Sequence, residues 1–187
     1  MKTLLIATVT LIAPFATTLA IAADDALMND ARKVATTLPP KLLAALQEEI
    51  GKSGPEGAIA VCKDMAPKMA GEISQQTGWK IKRVSLKARN AARAIPDAWE
   101  KAALEDFDKR AAAGEPPVQL EKGEKVGNEY RYVKALPVQP LCLDCHGPVD
   151  QLSPVVKSSL GQHYPNDLAT GYSAGQIRGA ISVRKPL

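Results

Sequence analysis

Ile177-Arg178-Gly179-Ala180-Ile181-Ser182-Val183-Arg184 is the stretch that decides the fold. Ile177, Gly179, Ile181 and Val183 alternate strictly with Arg178, Ala180, Ser182 and Arg184. A period of two is that of a strand with one face on a core and the other in water. Trp79 to Lys87 is also rich in β-formers (Trp79, Ile81, Val84, Leu86) and reads as a strand. Val118 to Lys122 and Asn128 to Leu136 read as a hairpin, with Lys122-Gly123-Glu124 and Gly127 in the turn. Tyr130 and Tyr132 share one face of its second strand.

The rest of the chain carries helical spacing. Asp24 or Asp25 can cap a first helix with Leu27, Ala31 and Val34 on one face, stopped by Leu38-Pro39-Pro40. Leu42, Leu43, Leu46 and Ile50 form the stripe of a second, with Gly51 as its stop. Gly54-Pro55-Glu56 opens a third, whose apolar face is Ile59, Cys62, Ala66, Met69 and Ile73 and whose end is Gly78. Pro67 lies inside that pattern and cannot donate to the carbonyl of Lys63, so a kink or break is expected there. Arg89-Asn90 begins a polar loop. Pro96-Asp97 then starts a helix through Trp99, Ala103, Leu104 and Phe107 to about Ala113, and Asp150 to Leu160 reads as a short one. With no internal repeat and no linker, these elements make one α+β domain.

The 187 residues are 45% hydrophobic and 24% charged, which suits one domain with a closed core. The formal charge of +4 is modest and dispersed, with no basic stripe interleaved with aromatics, and this excludes a nucleic-acid partner. Lys2 followed by an uncharged apolar run to Ala22, closing on Ala20-Ile21-Ala22, has the layout of a secretory signal peptide. The expected division is a leader over 1–22 and a single domain over 23–187. Pro14 interrupts the weakly hydrophobic run, so an uncleaved anchor is the poorer reading. No second apolar run reaches membrane-spanning length.

Cys142-Leu143-Asp144-Cys145-His146 carries the chemistry. Two cysteines three apart can add both thiols to the vinyl groups on one edge of a porphyrin, and the adjoining histidine is then held under the iron as its proximal ligand. A zinc site would need further ligands, and the remaining chain offers one cysteine and one histidine, neither in a paired spacing. The expected cofactor is one covalently bound haem c, with Cys142 and Cys145 as thioethers and His146 on the iron. Export agrees with this, because such attachment takes place in the bacterial periplasm. The sixth iron position is open to Cys62, Met65, Met69, His163 or no protein ligand. Arg89 and Arg178 are candidates to pair with the haem propionates, since a guanidinium matches a carboxylate bidentately.

Several blocks in order extend the reading: Ala58 to Cys62 with Ala66-Pro67, Arg83 to Lys87 leading to Arg89-Asn90, Pro96-Asp97 with Trp99-Glu100, Cys142 to Gly147, Tyr164-Pro165, Asp167 to Tyr172, and Gly175 to Val183. In these the chain resembles single-haem c-type domains with a PAS-like fold, long classed as a domain of unknown function. That family occurs as stand-alone periplasmic proteins and as sensory parts of signalling proteins. The resemblance implies a PAS-like antiparallel sheet with N-terminal helices packed around one haem, and Cys62 as the axial ligand opposite His146. The chain departs from the pattern at Asn90-Ala91, where a proline often follows the asparagine, and at Gln176, where an acidic residue is frequent.

A thiolate ligand stabilises ferric iron, so Cys/His ligation implies a low reduction potential. On reduction the bond weakens and a position opens for CO or NO. The expected function is one-electron transfer or redox and gas sensing in the periplasm, through a redox partner protein or a separate signalling partner. The alternative is a peroxidase-type haem enzyme, which needs an open distal face with an acid–base residue over the iron.

Overall fold

The computed structural model describes residues 15–187, with side chains from residue 24 onward. Of the leader expected over 1–22, residues 1–14 lie outside the described residues, so the cleavage expectation has no structural counterpart here. In chain order the elements are α1 Phe15–Ala35, α2 Leu38–Ala60, a π-helical turn Val61–Met65, α3 Ala66–Thr77, β1 Lys80–Val84, α4 Ala91–Ala94, α5 Ala98–Ala112, β2 Glu121–Val126, β3 Glu129–Pro137, α6 Leu143–His146, α7 Pro154–His163 and β4 Ile177–Pro186, with short 3₁₀ turns between some of them. The four strands form one antiparallel sheet in the order β1-β4-β3-β2, so the chain has the α+β, PAS-like class expected of it.

The alternating stretch is the inner strand β4, and it is buried throughout 177–183 rather than on one face only. Helices cover both sides. Ile81, Tyr130, Tyr132, Ile181 and Val183 pack against Ala31, Val34 and Ala35 of α1 and Ile73 of α3. Val84, Val133, Ala135 and Ala180 pack on the other side against Ala103, Leu104 and Phe107 of α5. The alternation arises because the α5 side takes small residues, Ala180 and Ser182, where the α1 side takes large ones.

On the α5 side the strands are also tied by charge. Glu100 is fully buried and accepts from Ser182 Oγ (2.7 Å), Lys82 Nζ (2.9 Å) and the Asp97 N–H (2.9 Å). Asp97 returns the cap by accepting from the Glu100 N–H (3.0 Å), and Arg131 pairs with Asp97. A buried carboxylate persists only when it is paired in this way. Helix α5 is thereby locked to β1, β3 and β4.

The regular ladder breaks once. Leu136 pairs with Gly179 and Pro137 with Ile177, so Arg178 is an extra residue with no partner on β3. Such a bulge re-aims the side chain it carries. Strict alternation would place Arg178 beside Ala180, whereas it lines a cavity on the opposite side of the sheet. Gly179 makes the bend feasible: its φ is +153°, and a Cβ there would lie 2.3 Å from the Val84 carbonyl oxygen.

Several expected boundaries are corrected. Helix α1 runs through Asp24 and Asp25 instead of being capped by them, because the preceding residues also favour helix. Gly51 does not stop α2; the break falls at Gly54 (φ 74°, ψ 175°), with Pro55 starting the next helical stretch. Pro67 sits in the first turn of α3, where its missing N–H is not needed, and the distortion is the π-turn just before it. The hairpin turns at Gly127-Asn128, between the paired Val126 and Glu129, so Lys122 to Glu124 are strand and Val118 lies in a 3₁₀ turn. Helix α7 begins at Pro154 under the Ser153 cap, later than Asp150. Among the described residues no helix is long and apolar enough to cross a membrane.

Gly179→Ala should therefore destabilise the fold by about 2–4 kcal/mol, the range for backbone strain joined to a core clash. Gly161→Ala, in α7 with open space around it, should stabilise by about 0.4–1 kcal/mol. Thermal and denaturant unfolding of the two variants measures both.

Candidate functional site

A cavity of ≈ 410 Å³ opens on the α3 side of β1 and β4. That is within the roughly 300–1,000 Å³ of pockets that bury small molecules and cofactors. Cys62 and His146 both line it, together with Tyr164, Arg83, Arg89 and Arg178. The lining contains a further cation in Arg93 and no aspartate or glutamate.

His146 ends the short helix α6. Its Nδ1 lies 2.7 Å from the Ala169 carbonyl oxygen, which can only accept, so Nδ1 carries the proton and Nε2 keeps its lone pair. Burial holds the imidazole well below its usual pKa, and the nearby Arg178 and Arg89 charges push the same way. A neutral ring with Nε2 free is the form that binds a metal. Arg178 Nε lies 3.2 Å from Nδ1 and 3.5 Å from Nε2, beside the ring.

Arg89 does not stand free at the cavity wall. Its Nε donates to Asp167 Oδ2 (2.9 Å), and Nη2 donates to the carbonyls of Cys145 and of Ala169 (3.2 Å to the latter). Both partners of the ion pair are about nine-tenths buried. Asp167 Oδ1 also accepts from the Ala169 N–H (2.8 Å). One buried pair thus ties the Cys142–His146 segment to the 167–169 loop, and that loop supplies the carbonyl that orients His146.

Cys62 enters from the π-turn, where the Ala66 N–H bonds to the Val61 carbonyl five residues back. A single such turn inside α-helix is a frequent mark of functional sites. The other candidates for an iron ligand lie elsewhere. Met65 is exposed, Met69 packs between two apolar clusters, and His163 is exposed with Nδ1 3.3 Å from Lys63 Nζ. None of the three lines the cavity.

Cys142 and Cys145 are half-buried and unpaired, and neither is among the lining residues. They flank the site. Cys142 packs near Val138, Ala169 and Tyr172, and Cys145 near Ile59, Leu152, Val156 and Tyr164. Burial pushes the Cys145 thiol up to about 11, against a pull in the other direction from Arg89. The pattern of sequence missed Asp167, the Ala169 carbonyl and Arg83. Arg83 was within reach, since it follows Ile81 by two on β1 and so shares its face. Backbone carbonyls leave no such signal.

Asp167→Ala should strand the Arg89 charge in the interior and cost about 3–5 kcal/mol, the range for breaking a buried pair. Denaturant unfolding gives the loss. Hydrogen exchange should show it first in residues 142–147 and 167–172, the segments joined by the pair.

Among curated proteins none matches the chain. Among solved structures it is similar to that of the cyanobacterial haem protein Tll0287, at 27% identity and a TM-score of 0.57, over 94% of this chain and 97% of that one. The Tll0287-like family model matches residues 16–186, a span that takes in every strand, the π-turn and the Cys142–His146 segment; the chain belongs to the Tll0287-like family.

Proposed function

We propose that the chain is an exported single-haem c-type protein, with Cys142 and Cys145 as thioether links and His146 and Cys62 as axial ligands. The observation that carries the reading is the convergence of His146 and Cys62, 84 residues apart in sequence, on the walls of one cavity whose lining carries several cations and no carboxylate. Among the described residues no three His, Cys, Asp or Glu side chains cluster to hold a bare metal ion. Two axial donors are enough when the iron brings a porphyrin's four nitrogens with it. The similarity to a haem protein over nearly the whole chain supports the same cofactor. The cationic lining, Arg178 included, suits the acidic edge of a porphyrin.

Bound there, haem supplies a one-electron ferric/ferrous couple. His146 holds its place through Ala169, with no need to reorient when the charge at the site changes. Cys62 would hold the iron as a thiolate and so favour its oxidised state, and the iron would supply a binding position for CO or NO wherever Cys62 does not occupy it. Tyr164 stays a neutral phenol, since burial pushes its pKa up to about 12, and the lining has no carboxylate to serve peroxide cleavage. Electron transfer or redox sensing is therefore the better reading than peroxidase chemistry. It acts in the periplasm after removal of residues 1–22, through a redox partner or a separate signalling protein.

Protein made in an attachment-competent host should have the intact mass of residues 23–187 plus one haem. Haem extractable into acid butanone would exclude thioether links. Cys62→Ser keeps the size but replaces a soft thiolate by a weak hydroxyl ligand. The ferric electron paramagnetic resonance spectrum should move from low-spin toward high-spin, and the midpoint potential should rise. If neither changes, Cys62 is a packing residue.

A further inference from the structure

Two guanidiniums on the cavity side of the sheet have no acidic partner among the described residues. Arg178 is only 8% exposed; its Nη1 donates to Ser85 Oγ (2.9 Å) and the Lys87 carbonyl (3.3 Å), and no carboxylate reaches it. Arg83 projects from β1 on the same side as Ile81 and also lacks an ion pair. Both line one cavity, whose lining holds no aspartate or glutamate. Like charges facing each other in a buried site are unfavourable unless an anion lies between them. The Arg89 charge, by contrast, is met by the Asp167 carboxylate, and its Nη2 by the Cys145 and Ala169 carbonyls.

We infer that Arg83 and Arg178 together clasp one carboxylate of the ligand, whereas Arg89 touches no ligand atom and is a strut for the His146 loop. This rests on the haem reading above, under which the carboxylate is a propionate. Two independent features aim the pair. The period of β1 puts Arg83 on the cavity face, and the bulge at Arg178 brings the second guanidinium round to the same face. Ser85, just past the end of β1, holds Arg178 in position by accepting from Nη1 while its own Oγ–H can donate to the Arg178 carbonyl (2.8 Å). With Nε beside His146 and Nη1 on Ser85 and Lys87, Arg178 keeps Nη2 for one carboxylate oxygen, and the Arg83 fork serves the other.

The test uses full-length holoprotein and two readouts, the midpoint potential and the resonance Raman propionate-bending band. Arg83→Gln and Arg178→Gln should each lower the midpoint, because a cation that favours the electron-richer state is lost, and each should shift the band. The double variant should shift both by less than the sum of the singles, since one carboxylate is shared. Arg83→Lys should keep most of the midpoint while still shifting the band, as the charge remains but the fork does not. Arg89→Gln should lower thermal stability and leave the band in place. Arg83 is only half-buried, so its variants report even if Arg178→Gln fails to fold. An unmoved band in Arg83→Gln, or a band moved as far by Arg89→Gln, overturns the assignment while the haem reading stands. Wild-type protein that carries no haem overturns the haem reading itself.

Discussion

The buried Arg89–Asp167 pair is the interaction on which the site depends. It joins three places that are distant in sequence: the loop after β1, the short helix ending at His146, and the 167–169 turn. Each carries one part of the site, and none could hold its position alone. The Ala169 carbonyl accepts from both Arg89 and His146, so the orientation of the imidazole is set by the same contact that fixes the loop. A salt bridge in this setting adds little net stability over an apolar substitute, but losing one partner is costly. Its role here is to impose one arrangement on a polar loop that apolar packing alone would leave free.

The sheet divides the molecule into a rigid side and a receptive side. Against α5 it is held across its centre by Leu104, Phe107 and the Glu100 network. Against α1 and α3 the packing is tight only toward the Trp79 and Tyr130 end, where the rings meet edge to face at 6.2 Å. The cavity lies at the other end, beside the bulge. The fold thus secures the sheet from behind and spends none of its tightest packing on the wall that lines the cavity.

Much of this was legible in the residues. The period of two in 177–184 marked the inner strand, and the segment Cys142-Leu143-Asp144-Cys145-His146 brings His146 to the cavity. The helical face through Ile59 and Ile73 placed Cys62 inward, where the structure has it facing the cavity. What failed was local geometry decided by tertiary contacts. The bulge at Arg178 depends on Pro137 and Val84, neither of which lies near it in sequence. Gly51 reads as a helix stop, yet the helix runs on through it to the break at Gly54, just before Pro55. Arg89 and Arg178 are equivalent in sequence as candidate propionate partners, and only the fold gives Arg89 an ion pair with Asp167 and Arg178 none among the described residues.

The π-turn at Val61–Met65 has a consequence for how this chain can vary in length. Before it, Ile59 packs toward α7; after it, Ala66 and Met69 pack toward α2, and Ile73 toward the sheet. One residue of an α-helix turns through about 100°, from 3.6 residues per turn. Loss of a single codon here would restore plain α-helical winding and rotate one of those two faces out of its packing by that angle. Apart from Cys62, substitutions can drift within the turn, but insertions and deletions belong to the hairpin tip at Gly127-Asn128. The spacing from Pro55 to Gly78 is in this sense a ruler, and relatives that keep both packed faces should keep its length.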